Sequence, residues 1–130
     1  MTSHRILRLN ALSTAACAVG MLATRGSLHT IFGLDTPLLI DSLAVGLLAY
    51  AVALVAAARR DTVDRPALIA FAITDALWVA ASAVVLLFFW GQFTPLARVL
   101  VIAVALVVEG FATLQYRAAA AIKTRAWGVA

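Results

Sequence analysis

The chain has 130 residues, enough for one domain. Hydrophobic residues make up 65% and charged residues 12%, against about half and about a quarter in soluble globular chains; too little polar surface exists to cover such a chain in water, so an ordinary soluble domain is excluded. The formal net charge of +4 does not point to nucleic acid, because the basic residues sit at the ends of apolar stretches and form no stripe.

Four apolar stretches follow one another, near Ile6–Thr24, Leu38–Ala58, Ala67–Trp90 and Leu96–Tyr116. Each meets the length of about 20 residues that a transmembrane helix needs. In the first, Asn10, Ser13 or Thr14, and Cys17 fall on one helical face. Arg5, Arg8 and the run Leu12-Ser13-Thr14-Ala15-Ala16-Cys17 have the look of a signal segment with a lipoprotein box. The apolar run before Cys17 is too short for that, so a first span is expected. Residues Arg25 to Thr36 form the longest connection, and its Leu28, Ile31 and Phe32 suit the headgroup region. His29 beside Asp35 reads as an interfacial loop histidine, with sensing of pH as the sharper alternative.

Gly33 fits a turn, Thr36 an N-cap and Pro37 the first helical turn, where a missing N–H costs nothing. Within the second stretch Asp41 complements the helix N-terminus. Ser42, Gly46 and Tyr50 share a face there, and Ser42 and Gly46 have the small-xxx-small spacing of close helix packing. Arg59, Arg60 and Arg65 follow as a charged loop. In the third stretch Asp75, Trp78 or Val79, and Ser82 share a face. Gly91, Thr94 and Pro95 then repeat the earlier turn chemistry, and in the fourth stretch Glu109 and Thr113 are four residues apart.

The chain says one thing twice. Phe32-Gly33-Leu34-Asp35-Thr36-Pro37-Leu38 returns as Trp90-Gly91-Gln92-Phe93-Thr94-Pro95-Leu96, and Asn10-Ala11-Leu12-Ser13 as Asp75-Ala76-Leu77-Trp78 with the apolar residues that follow. The expected fold is therefore all-α: a membrane four-helix bundle of two tandem transmembrane hairpins, related by a pseudo-twofold axis along the membrane normal. The halves run over about 6–58 and 67–116 of a single domain. Arginines near both termini and in the 59–65 loop place those segments in the cytoplasm. Arginine far outnumbers lysine and alanine is abundant, a GC-rich codon pattern that points to a bacterial cytoplasmic membrane.

Asp75, Glu109 and Tyr50 lie at one depth, about 10–12 Å from the cytoplasmic side, with Asn10 somewhat nearer it. An aspartate at mid-depth costs about 2.5–3.5 kcal/mol on insertion scales, so such groups face protein or water. Two readings stand. In one, Asp75 bonds Asn10, Tyr50 or a hydroxyl and fixes helix register, while Glu109 pairs with Arg117 or reaches the interface. In the other, Asp75 and Glu109 form a proton or cation site. No nucleophile–base pair and no Cys/His cluster is visible, so neither an enzyme nor a cofactor or metal is expected.

At Asp75-x-x-Trp78-Val79-x-x-Ser82 and Ala112-x-x-Gln115 the chain resembles small uncharacterised four-span membrane proteins of bacteria; the resemblance implies the fold and no particular chemistry. Small multidrug exporters carry a glutamate in span one, where this chain has Asn10. Fluoride channels carry Gly-rich, Asn-bearing spans not found here. The leading expectation is a non-enzymatic accessory or assembly subunit, or a homo-oligomer, whose partners are lipid and another membrane chain. The alternative is a small oligomeric proton-coupled transporter or channel using Asp75 and Glu109.

Overall fold

Helix is the only regular structure among the described residues, and its boundaries follow from local chemistry. The computed structural model of the chain describes residues 2–33 and 38–129, the side chains of 28, 29 and 123–129 excepted. Asp35, Thr36 and Pro37 therefore lie outside the described residues, as do the side chains of His29, Lys123, Arg125 and Trp127. The helices are α1 (Ser3–Ala23), α2 (Arg25–Ile31), α3 (Leu38–Ala58), α4 (Arg65–Phe88) and α5 (Pro95–Val129). Four of them, all but α2, are long and apolar enough to cross a membrane.

Side chains that bond the free backbone groups start the helices. The Thr2 hydroxyl accepts from the Arg5 N–H at 3.3 Å and the Asp64 carboxylate from the Ala67 N–H at 3.0 Å, opening α1 and α4. Thr94 accepts from the Ala97 N–H at 3.2 Å, and Pro95 begins α5. Two differences from the sequence reading have physical causes. The connection after α1 contains a seven-residue helix, α2, which is too short to show apolar periodicity. Helix α5 continues to Val129, beyond the end of the apolar run at Tyr116. Arg117 and the alanines at 118–121 keep high helix propensity after hydropathy falls.

The helices pair as two hairpins, α1 with α3 and α4 with α5, joined mainly through α1 and α5. Their seams use alanine. Ala44, Ala51 and Ala58 recur every seven residues among the buried residues of α3, and Ala11 and Ala18 do so on α1, the helix it packs against. Ala112 and Ala119 repeat the spacing on α5. Such stripes let backbones approach closely where lipid removes the hydrophobic drive for packing. The opposite faces are apolar and open: Leu87 is 78% and Phe88 79% exposed.

The two ends of the bundle differ. At the end that holds the N-terminus and the 59–64 loop, Leu7, Leu54, Val63, Leu68 and Ala119 form a closed apolar core. His4 donates from Nε2 to the Arg60 carbonyl there at 2.8 Å. At the α2 end the α4–α5 connection meets α2 and the turn after it. Thr94 donates to the Ile31 carbonyl at 2.6 Å, and Phe32 meets Phe93 edge-on at 5.5 Å between ring centroids. Gly33 turns there with φ +69°, in the left-handed region that favours glycine.

Candidate functional site

The three buried polar side chains among the described residues are Asn10, Asp75 and Gln115, at 3%, 3% and 0% exposure. They belong to α1, α4 and α5 and meet at one point. Asp75 Oδ2 accepts from Asn10 Nδ2 at 2.9 Å and from Gln115 Nε2 at 2.7 Å. Asn10 Nδ2 also donates to Gln115 Oε1 at 3.3 Å, and Thr14 donates to Asn10 Oδ1 at 3.2 Å. From α3 the half-buried Tyr50 hydroxyl reaches Asp75 Oδ1 at 2.8 Å and the Phe71 carbonyl at 3.3 Å. The Tyr50 ring is held edge-on to Phe71, 5.9 Å between centroids. One carboxylate thus gathers a donor from each of the three other long helices.

All three donors are neutral. Amides and a phenol satisfy the oxygens of Asp75 without cancelling its charge. Among the described residues the ion pair lies elsewhere: Arg25 holds Asp41 bidentately at the α2 end, Nε to Oδ1 at 2.8 Å and Nη2 to Oδ2 at 2.6 Å. That hydrogen-bonded carboxylate raises the Arg25 guanidinium above its ordinary value. Arg98 is engaged there as well, bonding the Trp90 carbonyl and lying 4.3 Å from the centre of the Trp90 ring.

Toward the α2 end, a cavity of about 600 Å³ opens beside this group, with Asp75, Asn10 and Tyr50 in its lining. Its volume is that of a small-molecule pocket, about 300–1,000 Å³. Valines and leucines make up much of the wall, and three aromatic residues, Tyr50, Trp78 and Phe111, come from three different helices. Hydroxyls border it too. Ser42 and Thr74 donate back to Leu38 and Ala70 of their own helices, both at 2.8 Å, which leaves only lone pairs to face the space. Helices α3 and α4 are not a packed pair, and both contribute to the wall of the cavity.

The structure brings together Asp75, Tyr50 and Asn10 and leaves Glu109 out. Glu109 is exposed on α5, and Gln115 occupies the place on that helix beside Asp75. Ser42 and Gly46 line the cavity, and a Cβ at Gly46 would meet nothing within 4 Å, so within this chain the pair makes no close helix contact. Ser82 is half-buried on α4. Gly33 turns toward the α4–α5 connection, where a Cβ on it would lie 3.1 Å from the Gln92 carbonyl. Gly91 stands in the turn before Thr94 and Pro95. Cys17 is a free thiol on the cavity wall. Among the described residues no group of three or more His, Cys, Asp or Glu side chains is placed to hold a metal. The sequence names Gln115 within a motif but gives no sign that it meets Asp75, and the seven-residue recurrence of alanine on α3 was the available signal for the seams. Neither a protein-family model, nor a curated protein, nor a solved structure matches the chain.

Proposed function

We propose that the chain is a multi-pass membrane protein that binds a small apolar cation in this cavity and carries it across the bilayer. Four helices of spanning length, with apolar faces turned outward, support the membrane placement. The arginine distribution supports cytoplasmic termini in a bacterial inner membrane. The repeated Gly-x-x-Thr-Pro-Leu turn and the pairing of α1–α3 and α4–α5 support two tandem hairpins. The observation that carries the reading is Asp75: a buried carboxylate bonded only by neutral donors, beside a cavity walled by Tyr50, Trp78 and Phe111. A carboxylate together with aromatic faces is the chemistry that recognises an organic ammonium.

The test is binding of benzyltrimethylammonium to the purified protein by calorimetry, in wild type and Asp75→Asn. The amide keeps the shape of the carboxyl and loses the charge; with its oxygen toward Asn10 and Gln115 it still accepts their bonds, while its NH2 donates to Tyr50, whose hydroxyl turns to Phe71. At least a tenfold loss of affinity, about 1.4 kcal/mol, is expected with little change in melting temperature. Equal affinity in the two proteins removes Asp75 from recognition and refutes the reading.

A second reading has its own support. The Asn10–Asp75–Gln115–Tyr50 group ties all four long helices at one level, as a register clamp in an accessory or assembly subunit does. Interhelical bonds of about 0.6–1.7 kcal/mol each suffice for that. Native mass spectrometry of the protein extracted from its own membrane decides between them. A different polypeptide at fixed stoichiometry, retained by Asp75→Asn, favours the clamp.

A further inference from the structure

The Tyr50 hydroxyl has one hydrogen and two acceptors in reach, Asp75 Oδ1 at 2.8 Å and the Phe71 carbonyl at 3.3 Å. This gives the site two complete hydrogen-bonding arrangements. With Asp75 ionised, Tyr50 donates to Oδ1, while Asn10 and Gln115 donate to Oδ2. With a proton on Oδ1, the carboxyl donates to the Tyr50 oxygen, and Tyr50 turns its own hydrogen to Phe71. Both N–H bonds to Oδ2 persist, since that oxygen is the acceptor in either state. Only a hydroxyl rotates, and no heavy atom moves. In neither state is a buried polar atom left without a partner, which is the condition for a group that changes charge inside a packed bundle.

The surroundings decide what neutralises the ionised form. The groups facing Asp75 are Asn10 and Thr14 on α1, Tyr50 on α3, Trp78 on its own helix, and Gln115 on α5. Tyr50, and Cys17 farther along the cavity wall, are the titratable ones. Glu109 is exposed, and His4 is bonded to Arg60 at the closed end. No arginine, lysine or histidine is among the residues lining the cavity. A buried carboxylate without a cationic partner is expensive, and two things relieve it here: a proton on Oδ1, or a cation in the cavity next to it.

We propose that Asp75 is a one-proton site and that a proton on it and a cation in the cavity are alternative occupants, with the Tyr50 hydroxyl turning between Asp75 and Phe71 to serve both. Entry of one monovalent cation then releases one proton from Oδ1 to water in the cavity. The charge of the occupied site is the same before and after, and the O–H bond broken at Asp75 is the one remade in the water. The exchange rests on the cation-binding reading above; the proton site rests on the hydrogen-bond geometry alone.

Two measurements on the intact protein separate these parts. The first is infrared difference spectroscopy across the mildly acidic to mildly alkaline range, following the carbonyl stretch of a protonated carboxyl. The second is calorimetry of benzyltrimethylammonium in two buffers of different ionisation enthalpy. This ammonium carries no proton of its own, so every proton released comes from the protein. The expected result is a band present in acid, lost in alkali, lost in acid when the ammonium is saturating, and absent from Asp75→Asn. One proton is released per ammonium bound in acid. Tyr50→Phe keeps the carboxyl and shifts the band, because the proton's acceptor is gone; it covers the case in which Asp75→Asn fails to fold. Three results overturn the proposal, each in a different place. A band absent at every pH means that Asp75 holds no proton. Ammonium binding in acid without proton release means that the occupants do not compete. A titrating band with no ammonium binding removes the cation and refutes the function proposed above, leaving a proton site without exchange.

Discussion

Replacing Tyr50 by phenylalanine removes one oxygen and, with it, the only hydrogen bond to Asp75 Oδ1. A hydrogen bond to a charged group contributes about 1.5–3 kcal/mol, whereas side-chain bonds between helices in membrane proteins average about 0.6 and reach about 1.7. At 2.8 Å and with a buried carboxylate as acceptor, this bond belongs at the overlap of the two ranges. A loss of about 1.5 kcal/mol, roughly tenfold in the unfolding equilibrium, is expected. In an Asp75→Ala background the hydroxyl keeps only the 3.3 Å contact to Phe71, and the same substitution costs about 0.5 kcal/mol. The double-mutant cycle should therefore give a coupling of about 1 kcal/mol. It should shrink in acid, where a protonated carboxyl makes an ordinary neutral bond to the phenol. Denaturant unfolding in micelles reads all four proteins through tryptophan fluorescence, to which Trp78, one turn along α4 from Asp75, contributes. Equal costs of Tyr50→Phe in the two backgrounds, within about 0.3 kcal/mol, would show that the pair is not coupled and refute the two-state account of the hydroxyl.

Other substitutions probe the frame. Gly33→Ala puts a Cβ on a residue at φ +69° and 3.1 Å from the Gln92 carbonyl, and should destabilise by about 1–2 kcal/mol in the same unfolding assay. Gly46→Ala meets open space in mid-helix, and should stabilise by up to about 1 kcal/mol while narrowing the cavity. Thr94→Val removes both the α5 cap and the bond to Ile31, and should cost about 1–2 kcal/mol; a smaller loss would mean that the loop contact does not join the hairpins. Glu109→Gln should leave the infrared band and ammonium affinity unchanged, because Glu109 lies on the exposed surface of α5.

The positions of the long helices were legible in the sequence, and which residues meet between them was not. Four apolar runs with capping residues at their ends locate the long helices, because hydropathy contrast and caps are local properties. Counting residues also brings Asp75 and Tyr50 to one level, as their 2.8 Å bond shows, but it misplaces Glu109, which lies six residues, about 9 Å of helix rise, from the Gln115 that meets Asp75. Which side of a helix faces inward depends on its neighbours, and α5 is apolar almost all round. Glu109 and Gln115 are six residues apart, so at 100° per residue they stand about 120° apart around the axis. The fold turns Gln115 inward to Asp75 and leaves Glu109 on the surface. Nothing in the sequence marks Gln115 as inward, because the apolar run ends beside it while the helix continues to Val129. The alanine seams were hidden for a similar reason: in so apolar a chain, a stripe of small residues stands out only once its partner is known.

The four side chains of the Asp75 group also divide by hairpin: Asp75 and Gln115 belong to α4 and α5, Asn10 and Tyr50 to α1 and α3. During synthesis the first hairpin is complete before α4 emerges. On the membrane reading proposed above, the second would then enter lipid with a carboxyl on it and only its own glutamine, at 2.7 Å, to partner that group. Gln115 is thus a travelling companion for Asp75, present from the moment the α4–α5 hairpin closes. Asn10 and Tyr50 are a destination, reached when the hairpins meet. On that reading, a chain lacking Gln115 would meet its barrier at insertion, and one lacking Asn10 at docking.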